Sequence, residues 1–407
     1  MTQLGSKKSR KGCDLCKRRR VKCSEGSPCA NCARRGEACS LAAPSPSTTA
    51  VSFLDSFPDH VGRVHHRAEM YAERPQTSHE SNDSLPTTTE DWLQDMQLMH
   101  HYTVVVCHEN LLVRHGITAI WSEYVPKQAL KHSFLLHGLL ALSALNLANR
   151  TPDADDIMKY LNLCDKHQAV AVAALRDALN GNITAENGGA LFALAATTSI
   201  SSMARSCIVA NAQPAPRAFS VDEIAEVIVL TKGMREVVAA TQEHVLRTPL
   251  ASMLVSHSLG DDEKATLRLP EPVHVQFALL REMLQNHCAD DPLTRRNCGE
   301  ALDVLQDIYL NLVHFKRLDQ VESGHIWRWP AAVPLEFVRL ITARHPPTLV
   351  IVAYFAAATS CLGRGWYVRD WGTYTIEGIT RALEGDVQHW LEWPRAHMKD
   401  ELAILLT

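Results

Sequence analysis

From Trp92 onward, apolar residues recur at three- and four-residue intervals and strand-like alternation is scarce, a pattern that predicts helices. Pro and Gly clusters interrupt it near Thr151-Pro152, Gly181, Pro214–Pro216, Pro249, Gly260, Pro270–Pro272, Pro292, Pro330, Pro334 and Pro346-Pro347. About ten helices fit between the breaks. They include Asp91–His115, Lys127–Asn149, Asp153–Leu179, Ser220–Leu246, Val273–His287, Leu293–Leu318, Leu335–Thr342, Pro347–Leu362 and Thr375–Leu391. Two stretches, HSFLLHGLLALSALNLA and PTLVIVAYFAAATSCL, are apolar on nearly every face. A helix of that kind belongs at the centre of a core. Neither gives the roughly 18 to 20 uninterrupted apolar residues of a bilayer span, so no membrane segment is predicted. Between Ser40 and Asp91 the pattern gives way to Pro, Ser, Thr and Asp, which predicts a flexible tether. No apolar heptad repeat extends over three heptads in that stretch, so it contains no coiled coil that would fix a dimer. The predicted organisation is a small module over 1–40, a linker over 41–90 and an all-helical domain over 91–407.

Composition adds little to this picture for the body. With 46% apolar and 21% charged residues, the 407-residue chain is of ordinary globular composition, which excludes wholesale disorder. Charge is more informative, because residues 1–40 carry eleven Lys/Arg against Asp14, Glu25 and Glu37, a balance of +8 within an overall −4. The remainder is therefore acidic, at −12. A basic end on an acidic body is the footprint of a polyanion-binding module. The opening MTQLGSKKSRKG has no apolar stretch behind its basic residues, so no secretory signal is expected and the compartment is a reducing one.

Six of the twelve cysteines, Cys13, Cys16, Cys23, Cys29, Cys32 and Cys39, follow the order C-x2-C-x6-C-x5-C-x2-C-x6-C. Each half supplies three thiolates, one short of a tetrahedron. Sharing two sulfurs between two metals closes both sites, so six thiolates saturate two Zn²⁺ ions and leave no position for a hydrolytic water. The zinc is then structural, and in a segment whose apolar residues are chiefly Leu15 and Val21 it must supply most of the folding free energy.

Cys13 to Cys23 with the basic run Lys17-Arg18-Arg19-Arg20-Val21-Lys22, Pro28 before Cys29 and Asn31 within the second pair resemble the fungal Zn(2)-Cys(6) binuclear cluster DNA-binding domain. The resemblance implies that Cys13 and Cys29 bridge the metals, Cys16 and Cys23 completing one zinc and Cys32 and Cys39 the other. It also implies that Lys17, Arg18, Arg19, Arg20 and Lys22 face DNA, with Arg19 and Arg20 at the positions that reach bases of a CGG-type triplet. Arg20 stands where the family more often has Lys, and Arg can bind guanine O6 and N7 bidentately. Lys7, Lys8, Arg10 and Lys11 suit phosphate contact or a nuclear import signal, as do Arg34 and Arg35 for phosphate.

The body resembles the C-terminal domain of fungal regulators related to the sterol uptake control protein. Trp121, Lys131–Ala144, Trp327-Arg328-Trp329-Pro330, the Pro346–Ala358 segment, Trp366-Tyr367 and Trp390–Pro394 carry that likeness. It implies an all-helical regulatory domain that binds a sterol in sterol-sensing members. No nucleophile elbow, P-loop, dinucleotide glycine pattern or complete HExxH occurs, His108-Glu109-Asn110-Leu111-Leu112 lacking the second His. No enzyme is expected. Cys107, Cys164, Cys207, Cys288, Cys298 and Cys361 are scattered, and His137 and His287-Cys288 are expected to be structural. The implied protein is a nuclear, zinc-dependent transcription factor acting on promoter DNA and the transcription machinery. Its expected role is activation of a secondary-metabolite gene cluster. The alternative is a sensor whose body binds a sterol or other apolar ligand. A homodimer is a further implied partner, and a membrane is not.

Overall fold

In the computed structural model the periodicity beyond Trp92 becomes a set of packed helices, with no strand among the described residues. The structure describes residues 13, 16, 17, 19, 21–24, 29–35, 89–109, 117–181, 183–213, 217–254, 259–318, 320–363 and 365–399. They belong to two compact units, Met1–Ala72 and Glu73–Thr407. The first is a small zinc-stabilised α module and the second a large all-α domain. The tether expected over 41–90 lies outside the described residues, apart from Thr89 and Glu90.

Among the described residues, the body has twelve α-helices of eight residues or more. These are α1 (Thr89–Val104), α2 (Ser133–Arg150), α3 (Ala154–Asn180), α4 (Gly188–Asn211), α5 (Val221–Val245), α6 (Glu271–His287), α7 (Pro292–Arg317), α8 (Ser323–Ala332), α9 (Leu335–Thr342), α10 (Pro346–Ala358), α11 (Trp371–Ala382) and α12 (Glu392–Lys399). Their ends follow local chemistry. The Asp153 carboxylate accepts from the Asp156 N–H at 3.0 Å to cap α3, and Asp291 caps α7 through the Thr294 N–H, with Pro292 in the first turn. Ser220 and Glu223 form a reciprocal capping box at α5.

Packing follows from which helices lack a polar face. α2 lies between α1, α3 and α4, α4 also packs on α5, and α5 reaches α8 and α9. In the second half, α10 is buried along nearly its whole length and is surrounded by α7, α11 and α12. Trp329 stacks on Phe355 with ring centroids 4.4 Å apart, and its indole N–H donates to the Ala301 carbonyl at 2.8 Å. Two glycines let helices close on their neighbours. A Cβ on Gly138 would lie 2.6 Å from Leu194 Cδ1, and one on Gly378 would lie 1.9 Å from the Phe219 carbonyl oxygen.

Several expected boundaries are corrected. The helix expected over Lys127–Asn149 is two, Val125–Ala129 and α2, separated where His132 leaves helical geometry (φ −130°, ψ 97°). Ala129 and Leu135 are both buried, and an unbroken helix would turn them about 120° apart; the break brings both to the core. The helix expected over Asp91–His115 ends at Val104, before a short 3-10 turn at Val106–His108. The run Val104–Val106 is a poor continuation for a helix, and residues 110–115 lie outside the described residues. Thr375–Leu391 is broken at Gly385, whose φ of 76° suits glycine. α4 and α8 were not expected. α4 is apolar all round and built largely of Gly, Ala, Ser and Thr, so it has no periodic signal. By length and mean hydropathy it could cross a membrane, contrary to the expectation that no such segment exists, but 72% of its apolar window is buried within the body. α8 carries Pro330 inside it, which reads locally as a break.

Candidate metal centre and nucleic-acid interface

In the N-terminal module, the two C-x2-C pairs occupy similar turns. The Lys17 N–H donates to the Cys13 carbonyl at 3.0 Å, one helical turn, and Ala30–Ala33 forms a short helix beginning after Cys29. The halves are joined by the Asn31 Nδ2–H donating to the Lys22 carbonyl at 2.8 Å and by the Ala30 N–H donating to Ser24 Oγ at 2.8 Å. The sequence pointed to Asn31; the Ser24 contact had no signal, since it depends on how the halves pair.

Among the described residues, the core of this unit is formed by Cys13, Cys16, Cys23, Cys29 and Cys32, all buried. Four of them, Cys13, Cys16, Cys29 and Cys32, place their sulfurs within 4.8 Å of one another. The Cys13–Cys29, Cys13–Cys32 and Cys16–Cys29 Sγ···Sγ separations are each 3.7 Å. That is far beyond a disulfide bond and matches the edge of about 3.8 Å of a tetrahedron with Zn–S bonds of about 2.3 Å. Cys23 joins the group, its sulfur accepting the Cys13 N–H at 3.4 Å, and the Cys16 N–H points at Cys13 Sγ at 3.4 Å. Such N–H···S contacts favour the thiolate. Burial, followed by the thiols of Cys13, Cys29 and Cys23, pushes the Cys16 thiol up to about 12. Crowded sulfurs cannot ionise together without opposing positive charge, and a divalent cation reverses that balance. The donor set therefore fits thiophilic metal, and the module binds two zinc ions. Once bound, zinc supplies folding free energy and leaves no ligand position open for catalysis. Cys39, the sixth expected ligand, lies outside the described residues.

Around this core, Lys17, Arg19, Val21, Lys22, Arg34 and Arg35 are exposed. Positive charge thus covers a unit whose interior is sulfur, as a phosphate-binding surface requires. Arg18 and Arg20, and Lys7, Lys8, Arg10 and Lys11, lie outside the described residues.

Among the described residues no other group of Cys, His, Asp and Glu is arranged to hold a metal. Cys298 faces Thr348 Oγ1 at 3.4 Å, and burial pushes its thiol up to about 11. His137 and His167 pair through their Nδ1 atoms at 2.9 Å, and the His287 ring donates to the Met283 carbonyl at 3.2 Å. Glu109, from the incomplete HExxH, is held by Arg150 and Asn146.

This is a cationic, zinc-organised DNA-binding module on a chain that continues into a helical domain. Residues 11–48 match the fungal Zn(2)-Cys(6) binuclear cluster domain. The chain is 24% identical to a Zn(2)-C6 fungal-type transcription factor of Gibberella zeae, over 95% of this chain and 85% of the relative. It is 36% identical to sterol uptake control protein 2 of Candida albicans, over 73% of this chain and 40% of that protein. A third relative is the Zn(2)-C6 fungal-type transcription factor afumD of Aspergillus fumigatus, 31% identical over 37% of this chain and 36% of its own length. The chain carries a fungal-type Zn(2)-Cys(6) cluster domain and is similar over most of its length to a Zn(2)-C6 fungal-type transcription factor.

Proposed function

We propose that the protein is a nuclear, sequence-specific regulator of RNA polymerase II transcription that reads GC-rich, CGG-type triplets through Lys17, Arg18, Arg19, Arg20 and Lys22. In this reading Cys13 and Cys29 bridge two zincs, Cys16 and Cys23 completing one and Cys32 and Cys39 the other. The observation that carries it is the set of 3.7 Å sulfur separations: Cys13 and Cys29 stand one edge apart, Cys29 one edge from Cys16 and Cys13 one edge from Cys32. Cys13 and Cys29 thus each have sulfur neighbours from both halves, as ligands shared between two metals must. Zinc fixes the module, the exposed basic side chains meet phosphates and guanine edges, and the acidic body suits activation.

The proposed targets are the contiguous genes of a secondary-metabolite pathway. Weighing against a sterol target, the alignment with the Gibberella factor takes in most of both chains, whereas that with the Candida sterol protein takes in 40% of the latter. Genome-wide occupancy of the tagged protein, with Cys16→Ala as control, tests the reading. Sharp peaks over GC triplets upstream of clustered biosynthetic genes, lost in the variant, are expected; peaks at scattered genes or none at all would overturn it. A second reading, a body that senses an apolar ligand, is favoured by one observation: a cavity of about 150 Å³ between α4, α5 and α8.

A further inference from the structure

The cavity is walled by Phe192, Ile200, Met203, Met234, Met253 and Trp327. Its polar groups divide into two sets. The Ser199 and Thr231 hydroxyls already donate to the Ala195 and Val227 carbonyls, at 3.1 and 2.8 Å. The Trp327 Nε1–H and the Tyr367 hydroxyl are buried with no partner in hydrogen-bond geometry, Ser323 lying beside Tyr367. Four other indole N–H groups, those of Trp121, Trp366, Trp371 and Trp390, are likewise buried without a partner, but Trp327 alone among these five lines the cavity, where a guest can reach it. A bound molecule offering one acceptor oxygen supplies the missing partner here. Glu322, buried at the start of α8 with its N–H donating to His325 Nδ1 at 3.0 Å, also lines the space. Its charge and the apolar walls disfavour an anion.

Size sets the remaining constraint. Cavities of roughly 150 Å³ take benzene-sized guests, while sites for drug-sized molecules run from about 300 Å³ upward. The three methionines can shape themselves to a flat ring and make sulfur–aromatic contacts.

We propose that this cavity binds a neutral, single-ring aromatic molecule carrying one oxygen acceptor, held by the Trp327 indole N–H, rather than a fused-ring sterol. The inference rests on reading the body as a ligand-sensing domain and names the size and chemistry of what it senses.

The test is methionine methyl NMR of the full zinc-loaded chain, titrated separately with p-cresol, with p-xylene (the same shape without the oxygen) and with ergosterol. Saturable shifts with p-cresol at Met203, Met234 and Met253, leaving the exposed Met96 and Met158 unmoved, are expected. p-Xylene should bind about fivefold more weakly, the order of one hydrogen bond. Trp327→Phe should remove that difference, and Ala196→Phe, which fills the space, should abolish the shifts. Equal affinity for p-cresol and p-xylene would overturn the role of Trp327. Shifts that spread equally to Met96 and Met158 would overturn the site. Ergosterol shifting the three methionines while p-cresol does not would overturn the size class and leave the sensing reading standing; no response to any probe would remove both.

Discussion

Among the described residues, five cysteine side chains make up the buried interior around Cys13, whereas around Phe355 the body buries Trp329, Trp371 and Phe337 completely. This first interior, among the described residues, is sulfur with no aliphatic or aromatic side chain, so metal–sulfur bonds supply its folding free energy. The second is ordinary hydrophobic burial, distributed over many helices and independent of any one ligand. The contrast teaches where each unit is vulnerable: the module to loss of one cation or thiolate, the body to loss of fit at a close approach.

Removing zinc is the strongest way to separate them. Chelation, or Cys16→Ala, should abolish specific DNA binding, with a loss on the order of 10 kcal/mol per zinc in module folding. The far-UV circular dichroism of the body should barely change, because its helices contain none of the cluster ligands. A cooperative collapse of the helical signal on chelation would break the comparison.

The converse change is Gly378→Ala. A methyl there would meet the Phe219 carbonyl, whose residue is tied to α11 by its N–H donating to the Tyr374 carbonyl at 3.1 Å. Backbone cannot rotate away as a side chain can, so a loss of about 3 kcal/mol in body stability is expected. Calorimetry should show the body transition shifted down while zinc stoichiometry stays the same. An unchanged transition would refute the close approach.

Legibility differs between the two units for the same reason. Metal chemistry is local: the spacing of Cys13, Cys16, Cys29 and Cys32 fixes which sulfurs can meet, and the structure brings those four together. The body is legible where polar and apolar faces alternate or a cap stands at an end, as at Asp153 and Ser220. It is illegible in α4, where small residues on every face leave no period, and at His132, where the break serves Ala129 and Leu135 in the core. The cavity was illegible too, since Met203, Met234, Met253 and Trp327 lie far apart along the chain and only packing assembles them.

Within the module, the comparison sharpens to base reading against phosphate contact. Arg20→Ala should weaken binding to a cognate GC-triplet site by about 1–3 kcal/mol and relax sequence preference. Lys8→Ala should weaken cognate and scrambled DNA alike and lower the salt dependence of both. Fluorescence anisotropy on the two DNAs over a salt series separates these outcomes; equal losses for Arg20→Ala on both would remove its base-reading role.

The smallest expected effect lies at the cap of α5, where the body depends on charge in place of apolar fit. Burial alone would raise the Glu223 carboxyl, but the Arg217 guanidinium fork, the Ser220 N–H and the Ser220 hydroxyl together hold it below its ordinary value of 4.5. A carboxyl whose folded value is depressed adds stability that is fully present above its unfolded value and is lost as the pH falls through the folded one. Glu223→Gln should therefore cost about 1 kcal/mol at neutral pH, a modest figure because Arg217 and Glu223 keep 39% and 29% of their side chains exposed to screening water. Below about pH 4.5, the ordinary value, the gap in melting temperature between parent and variant should begin to narrow, and it should close once the pH has fallen through the lower folded value and the parent's carboxylate is protonated. A gap that stays constant from pH 7 to pH 3.5 would assign the effect to the shape of the cap and not to its charge.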